Sequence, residues 1–242
     1  MAQFRLDKYL ADAGIGTRSD IKSYIRKGLV QVNHNTVLRP ETKIDSAKDE
    51  ICFKGEPIRM ADLEYYLLNK PAGYVSATKD NTAPTVMELI NSNRKDLFPV
   101  GRLDKDTEGL LLITNDGALS HKLLSPKKHV EKTYYAITNG IMDEADIHAF
   151  RQGLEIGDED LKTALPAKLQ IISTDEKEQR SEVLITITEG KFHQVKRMVH
   201  ACGKEVTYLR RISFGTLSLP EELPSGAYRE LTPEEIQTLV SL

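Results

Sequence analysis

The sequence has few cysteines and no long apolar run, and both absences exclude classes of protein. Cys52 and Cys202 lie far apart and form no C-x-x-C pair, so the chain has no disulfide framework and its cysteine usage fits a reducing compartment. No apolar run approaches the roughly 20 residues that a membrane-spanning helix needs, and the first ten residues lack a signal-peptide pattern. We therefore expect a cytoplasmic protein without a membrane segment.

Motifs typical of metal and cofactor sites are missing as well. The chain has no G-x-x-x-x-G-K-[ST] and no H-E-x-x-H, and its six histidines show no convincing ligand spacing. His193 and His200 lie seven residues apart and can share a helix face, but this pair is weak grounds for a metal site. We therefore expect neither a metal nor a cofactor.

Composition allows a folded protein of one or two domains, with its charge unevenly distributed. Apolar residues make up 40% of the 242 residues, which is enough for a substantial core. Residues 1–60 contain eleven Lys or Arg and eight Asp or Glu, a net charge of +3, and since the total is −3 the remainder carries −6. This asymmetry is weak evidence that the first sixty residues contact nucleic acid.

The first sixty residues have the pattern of a small separate unit. Helical spacing of apolar residues and a stop at Gly14 predict one helix, and Thr17 and Gly28 bound a second. LVQVNHNTV predicts a hairpin, DEICFKGEPI predicts another short strand and a turn, and a polar connector, RMADLE, follows. The second helix carries three basic residues spaced four apart: Arg18, Lys22 and Arg26. This basic stripe can follow RNA phosphates, although a solvated helix face explains it equally well.

From Tyr65 onward, strand-like and helix-like segments follow one another without strict alternation. Strands are predicted at YYLLN, LFPVGRL, GLLLIT, KTYYAIT, AKLQIIS, SEVLITIT and EVTYLRRI. Helices are predicted at PTVMELINS, GALSHKLLS, DEADIHAFRQG, KFHQVKRMVHACG and PEEIQTLVSL. This order favours an α+β fold on a mixed, mostly antiparallel sheet flanked by helices, and not a doubly wound parallel sheet. We expect two domains, residues 1–60 and residues 65–242.

One segment, GRLDKDTEGLLLITNDG, places carboxylates and cations directly before an apolar strand. Asp104 in this segment is either an ordinary turn residue or a positioned catalytic carboxylate. Three other segments favour the second interpretation, because they add a tight bend, an aromatic strand and a group of basic residues. These segments are LNKPAGYVSATKD, EKTYYAIT and EGKFHQVKRMVHACG.

Together these segments resemble the pseudouridine synthases, and the first sixty residues resemble the S4 RNA-binding domain. The S4 likeness rests on RLDKYL, on Thr17-Arg18 and on VQVN, whereas GRLDKDTEGLLLITNDG is a highly specific signature of the synthases. The likeness covers essentially the whole chain. It implies a small α/β S4-like domain that docks RNA and a larger domain that isomerises uridine to pseudouridine without a cofactor.

The resemblance also implies roles for individual residues. It carries the family's aspartate onto Asp104, its tyrosine onto Tyr134 and its basic partner onto Lys196. A cation in contact with a carboxylate keeps it ionised and aimed. The carboxylate can attack the sugar, attack the base or remove a sugar proton, and the sequence does not decide among these. Tyr134 is expected to stack on a flipped-out base, whereas Tyr135 is expected in the core.

Other polar residues near Asp104 and Lys196 have expected supporting roles. Arg102 lies two residues before Asp104 on a predicted strand, so the two side chains are expected to share a face. Asp106 is expected to be structural, capping the turn or bonding Thr107. Further substrate contacts are expected from His193, Arg197 and the basic stripe.

The segment EGKFHQVKRM bears on the substrate. Within the resembled family it favours the branch that acts on small-subunit ribosomal RNA, since large-subunit relatives tend to have asparagine-arginine at Phe192-His193 and arginine at Lys196. We therefore expect a monomer that binds 16S ribosomal RNA, free or in a pre-ribosomal particle. Three alternatives remain: a 23S enzyme of the same family, a non-catalytic S4-type assembly protein, and a nucleosidase-like hydrolase, which would need a second well-placed carboxylate.

Overall fold

The chain forms two compact units. The computed structural model describes residues 3–46, 48–58, 63–92, 94–157 and 163–242. The first unit contains Met1–Glu64 together with Asn93–Leu97 and Asn115–Gly117, and the second unit contains the remainder. Most of the predicted connector RMADLE, residues 59–62, lies outside the described residues. The two short additional segments lie within residues 65–242, the predicted second domain. No motif or periodicity in the sequence predicted their place in the first unit.

The described part of the first unit contains two helices and six short strands. In chain order these are β1 (Gln3–Arg5), α1 (Leu6–Asp12), α2 (Arg18–Arg26), β2 (Val30–Val32), β3 (Asn35–Thr36), β4 (Lys43–Asp45), β5 (Ile51–Phe53) and β6 (Glu56–Pro57). Strands β3, β2, β5 and β6 form an antiparallel sheet in that order, and β1 pairs with β4 separately. The β1–β4 pair was not predicted.

Apolar spacing and capping explain the second helix. Ile21 and Ile25, one turn apart, are fully buried in a cluster with Leu10 of α1. Thr17 and Asp20 form a capping box, in which the Thr17 hydroxyl accepts from the Asp20 N–H and the Asp20 carboxylate accepts from the Thr17 N–H. The predicted helix between Thr17 and Gly28 is thus confirmed.

The predicted hairpin is also present. Val32 pairs with Asn35 across β2 and β3, which leaves Asn33 and His34 as a two-residue turn. Both have positive φ, 50° and 64°, as a type I′ turn requires.

The described part of the second unit is built on one nine-stranded sheet. Its elements are β7 (Tyr65–Lys70), β8 (Phe98–Pro99), β9 (Glu108–Thr114), α3 (Gly117–Leu124), β10 (Lys132–Asn139), α4 (Glu144–Gln152), β11 (Lys168–Asp175), β12 (Arg180–Ile187), α5 (Gln194–Ala201), β13 (Glu205–Phe214), β14 (Leu217–Ser218), β15 (Tyr228–Glu230) and α6 (Pro233–Ser241). The strand order is β11-β12-β10-β13-β9-β7-β15, with β14 on β13 and β8 on β9. Strands β9 and β13 pair in parallel and the other pairs are antiparallel. The predicted α+β fold is confirmed.

Two predicted elements are much shorter than the sequence indicated. LFPVGRL forms only β8, and PTVMELINS forms only a 3-10 turn, Val86–Leu89. Gly101 has a φ of 76°, which ends the extended chain after Val100 and turns it into a loop. The expectation that Arg102 lies on a strand is therefore wrong, since Arg102 and Asp104 both lie on this loop.

Strand β9 anchors the loop that carries Asp104. Leu110–Ile113 are fully buried, and β9 pairs with the wholly buried strand β7 on one side. On the other side β13 approaches Gly109 closely, so that a Cβ there would lie 2.2 Å from the Arg211 carbonyl oxygen. Gly109 has a φ of 99°, and only glycine fits this position.

Candidate active site

The loop before β9 is fixed by buried backbone contacts. The Ser76 hydroxyl donates to the Leu103 carbonyl and accepts from the Leu103 N–H, both at 3.0 Å. The Thr107 N–H donates to the Asp104 carbonyl at 3.1 Å, which closes the turn. The loop backbone on either side of Asp104 is therefore held in place before any substrate arrives.

A buried lysine also binds the backbone of this loop. Lys70, at the end of β7, is fully buried, and its ammonium donates to the carbonyl oxygens of Pro71, Lys105 and Thr107 at 3.0, 3.3 and 2.7 Å. Burial lowers the pKa of Lys70 to about 8, although nearby carboxylates oppose this shift. The sequence pattern did not identify this residue, since YYLLNK reads as an ordinary core strand.

Asp104 faces two basic side chains of the segment that begins α5. Its Oδ2 lies 3.4 Å from Lys196 Nζ and its Oδ1 lies 3.6 Å from His193 Nε2, and its side chain is 27% exposed. The structure therefore brings together three of the predicted site residues. These distances place the carboxylate within ion-pair range of the ammonium while its oxygens remain accessible.

Lys196 has a nearer partner than Asp104. Its ammonium donates to Oδ1 and Oδ2 of Asp106 at 2.6 and 2.8 Å. The hydrogen bond from Lys196 lowers the pKa of Asp106, against a smaller opposing effect of burial. The expectation that Asp106 only caps the turn or bonds Thr107 is wrong, because a carboxylate two residues after Asp104 reaches the same ammonium.

Tyr134 is the buried tyrosine of β10. Its side chain lies on the inner face of the strand and the residue is 7% exposed. Tyr135 lies on the opposite face, is half-buried, and donates from its hydroxyl to Glu182 Oε2 at 2.6 Å. The expectation that Tyr135 is a core residue is wrong, since the face of β10 on which it lies leaves it partly exposed.

Several of these groups line a small cavity of about 70 Å³. Its polar lining includes Arg102, Asp104, Thr107, Tyr134, His193 and Lys196. The Thr107 hydroxyl is buried and has no hydrogen-bond partner among the described residues. Arg102 is exposed, and within the described part of the chain its guanidinium forms no hydrogen bond or ion pair. A free guanidinium and an unpaired hydroxyl beside a carboxylate suit a polar ligand that carries negative charge.

Polar contacts before α5 position its first turn. The Gln194 side chain accepts from the Lys191 N–H and donates to Glu189 Oε1, both at 2.9 Å. Lys191 also pairs with Glu189 and donates to the Thr163 carbonyl. This arrangement directs Lys196 toward Asp104. No motif or periodicity in the sequence predicts these contacts of Lys191.

The basic stripe is located in the first unit. Arg18, Lys22 and Arg26 are exposed on α2, whereas Ile21 and Ile25 of the same helix are buried. Within the part of the chain that the structure describes, these three side chains form no hydrogen bond or ion pair. They are therefore available to an external partner.

Two features are absent from the described residues. No helix there is long and apolar enough to cross a membrane. No group of three or more His, Cys, Asp or Glu there is arranged to hold a metal ion.

Comparison with known families identifies the chemistry. The family model described as RNA pseudouridylate synthase matches residues 64–201. The chain belongs to this family. The S4 domain model matches residues 4–51, so the synthase has an S4 domain before its catalytic region. The enzyme is an RNA pseudouridine synthase, an isomerase, as the segment GRLDKDTEGLLLITNDG predicted.

Relatives of the synthase match it over nearly their whole length. An uncharacterized RNA pseudouridine synthase of Bacillus subtilis is 44% identical, over 97% of this chain and 98% of the relative. Ribosomal large subunit pseudouridine synthase B of the same organism is 38% identical, over 98% and 96%. Ribosomal small subunit pseudouridine synthase A of Haemophilus influenzae is 39% identical, over 98% and 99%.

A solved structure agrees with these matches. A crystal structure of a pseudouridylate synthase is 37% identical to this chain and superposes with a TM-score of 0.70, covering 98% of this chain and 99% of that chain.

Proposed function

We propose that the synthase converts a uridine of 16S ribosomal RNA to pseudouridine, that it acts as a monomer, and that Asp104 is its catalytic carboxylate. The observation that carries the proposal is the position of Asp104 in a polar cavity, 3.4 Å from Lys196 Nζ and 3.6 Å from His193 Nε2, with Tyr134 in the same lining. These are the groups that the reaction requires.

The reaction breaks the bond between N1 of uracil and C1′ of the ribose, turns the base, and joins C5 to C1′. A proton leaves C5 and N1 gains one, so no external electron carrier is involved. Asp104 can attack the anomeric carbon, attack the base, or remove a sugar proton, and each role requires an ionised carboxylate. Lys196 favours the ionised form by placing a positive charge beside it.

The second carboxylate of the loop positions the lysine. Asp106 binds Lys196 at 2.6 and 2.8 Å, whereas Asp104 lies farther from it at 3.4 Å. Asp106 thus holds the ammonium in one place, and Asp104 keeps oxygen atoms available for the nucleotide. In this proposal Lys196 acts through charge, and Asp106 acts through Lys196.

The target uridine has to leave its RNA stack to reach Asp104. The cavity of about 70 Å³ is smaller than the roughly 300 Å³ at which small-molecule pockets begin, so the side chains at its mouth move when a nucleotide enters. Tyr134 then stacks on the flipped base, a contact worth roughly 1–3 kcal/mol. The free hydroxyl of Thr107 and the guanidinium of Arg102 are available to the uracil and the phosphate.

The choice of 16S RNA rests on the segment before and within α5. Named small-subunit and large-subunit synthases are almost equally similar to this chain, at 39% and 38% identity, so overall similarity does not separate them. Phe192, His193 and Lys196 favour the small-subunit branch. The exposed basic stripe of the S4 domain docks the RNA, either free or in a pre-ribosomal particle.

The test is a map of pseudouridine in ribosomal RNA. RNA from cells with and without this gene is compared at every position of 16S and 23S RNA, and the purified synthase is then assayed on free 16S RNA and on small-subunit particles. We expect one 16S position to lose its pseudouridine in the absence of the gene and to regain it with the purified enzyme. Loss at a 23S position instead contradicts the 16S proposal.

A further inference from the structure

A second, larger cavity adjoins the site of Asp104. It has a volume of about 520 Å³ and is lined by residues 155–157, by Phe192-His193, by one face of α5 and by Glu205. We call it the flanking cavity. His193 and Lys196 line both cavities, so the two cavities are adjacent at these side chains. Its volume falls within the roughly 300–1,000 Å³ of sites that hold molecules of nucleotide size.

Phe192 forms an aromatic platform at this cavity. The residue is 69% exposed, although its side chain is large and apolar. Its ring lies flat on the His193 ring, with centroids 3.7 Å apart and planes inclined by 21°. The stack fixes the orientation of the exposed phenyl face without burying it. An exposed, pre-oriented aromatic face is the feature with which proteins bind unpaired bases.

Arg197 gives the flanking cavity a guanidinium suited to an anionic group, although the carboxylates of Glu155 and Glu205 line the same cavity. Lys196 and Arg197 lie in the first turn of α5, where the helix dipole disfavours cations. Lys196 is compensated by the two loop aspartates. Arg197 is half-buried, and its guanidinium has no hydrogen bond or ion pair to any described residue. Glu155 also lines the cavity and supplies an acceptor for a base N–H.

We propose that the flanking cavity binds the nucleotide next to the target uridine in the RNA strand, with its base stacked on Phe192 and its phosphate on Arg197. This inference rests on the proposed function, because the target defines its neighbour. Three observations favour RNA as the occupant: the aromatic platform, a guanidinium without an ion pair among the described residues, and the two side chains that this cavity shares with the cavity of Asp104. The enzyme would then bind the neighbouring nucleotide of the RNA strand in addition to the target uracil.

The test measures RNA binding in an Asp104→Asn background, so that no turnover occurs. The ligand is the ribosomal RNA fragment that contains the mapped target, in three forms: intact, abasic on the 5′ side of the target, and abasic on the 3′ side. Phe192→Ala is compared with Phe192→Tyr, which keeps the ring, and with Ile172→Ala, a half-exposed apolar control on β11.

We expect Phe192→Ala to weaken binding of intact RNA roughly fivefold to hundredfold, the range of one base–aromatic stack. Phe192→Tyr and Ile172→Ala should bind like the parent. On the abasic RNA that lacks the stacking base, Phe192→Ala should no longer weaken binding. An equal loss on all three RNAs, or no loss on intact RNA, overturns the inference.

Arg197→Gln tests the phosphate contact. We expect the slope of log affinity against log salt concentration to become shallower by about 0.7, the value for one phosphate of a single strand. An unchanged slope contradicts the contact. Failure of the proposed function is distinguishable, because it appears as an absence of pseudouridine with the unmodified enzyme, whereas failure of this inference leaves that product intact.

Discussion

At the scale of single residues, Asp106 is the group whose role the sequence did not predict. It binds Lys196 more closely than Asp104 does. We expect Asp106→Asn to lower kcat about tenfold, because the ammonium loses its anchor and no longer holds its place beside Asp104. RNA affinity should stay within about twofold. Single-turnover kinetics and a binding titration measure the two effects, and an unchanged kcat would show that Lys196 needs no anchor.

Lys70 is a second residue whose importance only the structure reveals. Its ammonium binds three carbonyl oxygens, two of them in the loop of Asp104. We expect Lys70→Met to lower the free energy of unfolding by about 2 kcal/mol or more, because buried carbonyl groups lose their donor. The exposed Lys79→Met is the matched control and should be neutral. Urea unfolding near pH 7 measures both.

The same lysine predicts a pH dependence. Burial lowers its pKa to about 8 from an ordinary 10.5, so between these values the unfolded chain binds more protons at this position than the folded chain. Stability contributed by Lys70 therefore rises with pH across this window. The difference in unfolding free energy between the native protein and Lys70→Met should grow from pH 8 to pH 10. A constant difference would mean that Lys70 titrates alike in both states.

At the scale of elements, the parallel pairing of β9 with β13 depends on one glycine. A Cβ on Gly109 would lie 2.2 Å from the Arg211 carbonyl oxygen, at a φ of 99°. We expect Gly109→Ala to destabilise the protein by about 3 kcal/mol or more, since both the clash and the backbone strain act together. Gly226→Ala has a positive φ of 83° but open space around it, and should cost about 1 kcal/mol. Equal effects of the two changes in urea unfolding would show that strain alone matters.

Long elements were predictable from the sequence and short ones were not. Helices α3 to α6 and strands β9 to β13 have seven to ten residues each, long enough for an apolar pattern to be recognised. In β9 this pattern is a continuous apolar run that is buried on both faces. Strands β1, β4, β14 and β15 have two or three residues each, too few for a period. Strands β1, β4 and β15 also depend on partners distant in sequence, whereas β14 forms a tight hairpin with β13. LFPVGRL failed as a strand because Gly101 turns the chain.

The site was predictable to the extent that a motif carried it. Asp104, Lys196, His193, Tyr134 and Arg102 line one cavity, and each lies in a segment that the family resemblance singled out. The contacts of Lys70 and Ser76 with the loop, and of Asp106 with Lys196, were not predictable, because they join residues that lie far apart in the sequence.

At the scale of the whole molecule, the two units are not separated by one cut in the chain. Segments Asn93–Leu97 and Asn115–Gly117 belong to the first unit, and the Glu64 N–H donates to Asn115 Oδ1 at 2.9 Å within it. A truncation after residue 60 would leave these segments without their packing partners. Charge substitution in the intact protein is therefore the cleaner test of RNA docking.

Replacement of the basic stripe tests that docking. We expect the combined change of Arg18, Lys22 and Arg26 to Gln to make the salt slope of RNA binding shallower by about 2, because up to three phosphate contacts are lost. A matched triple change to Gln at Lys43, Lys48 and Lys54, exposed cations of the same unit outside α2, should have a much smaller effect. Equal effects would mean that net charge, and not the helix face, binds the RNA.

The central claim is that the Asp104 carboxylate carries out the isomerisation, and one measurement tests it most directly. Asp104→Asn replaces the charged carboxylate by a neutral carboxamide of the same shape. The purified variant is incubated with the 16S RNA that contains the mapped uridine. We expect RNA binding to be unchanged and pseudouridine formation to fall by at least ~10²-fold, the lower range for loss of an acid–base group. Product formation at the native rate by this variant would contradict the account.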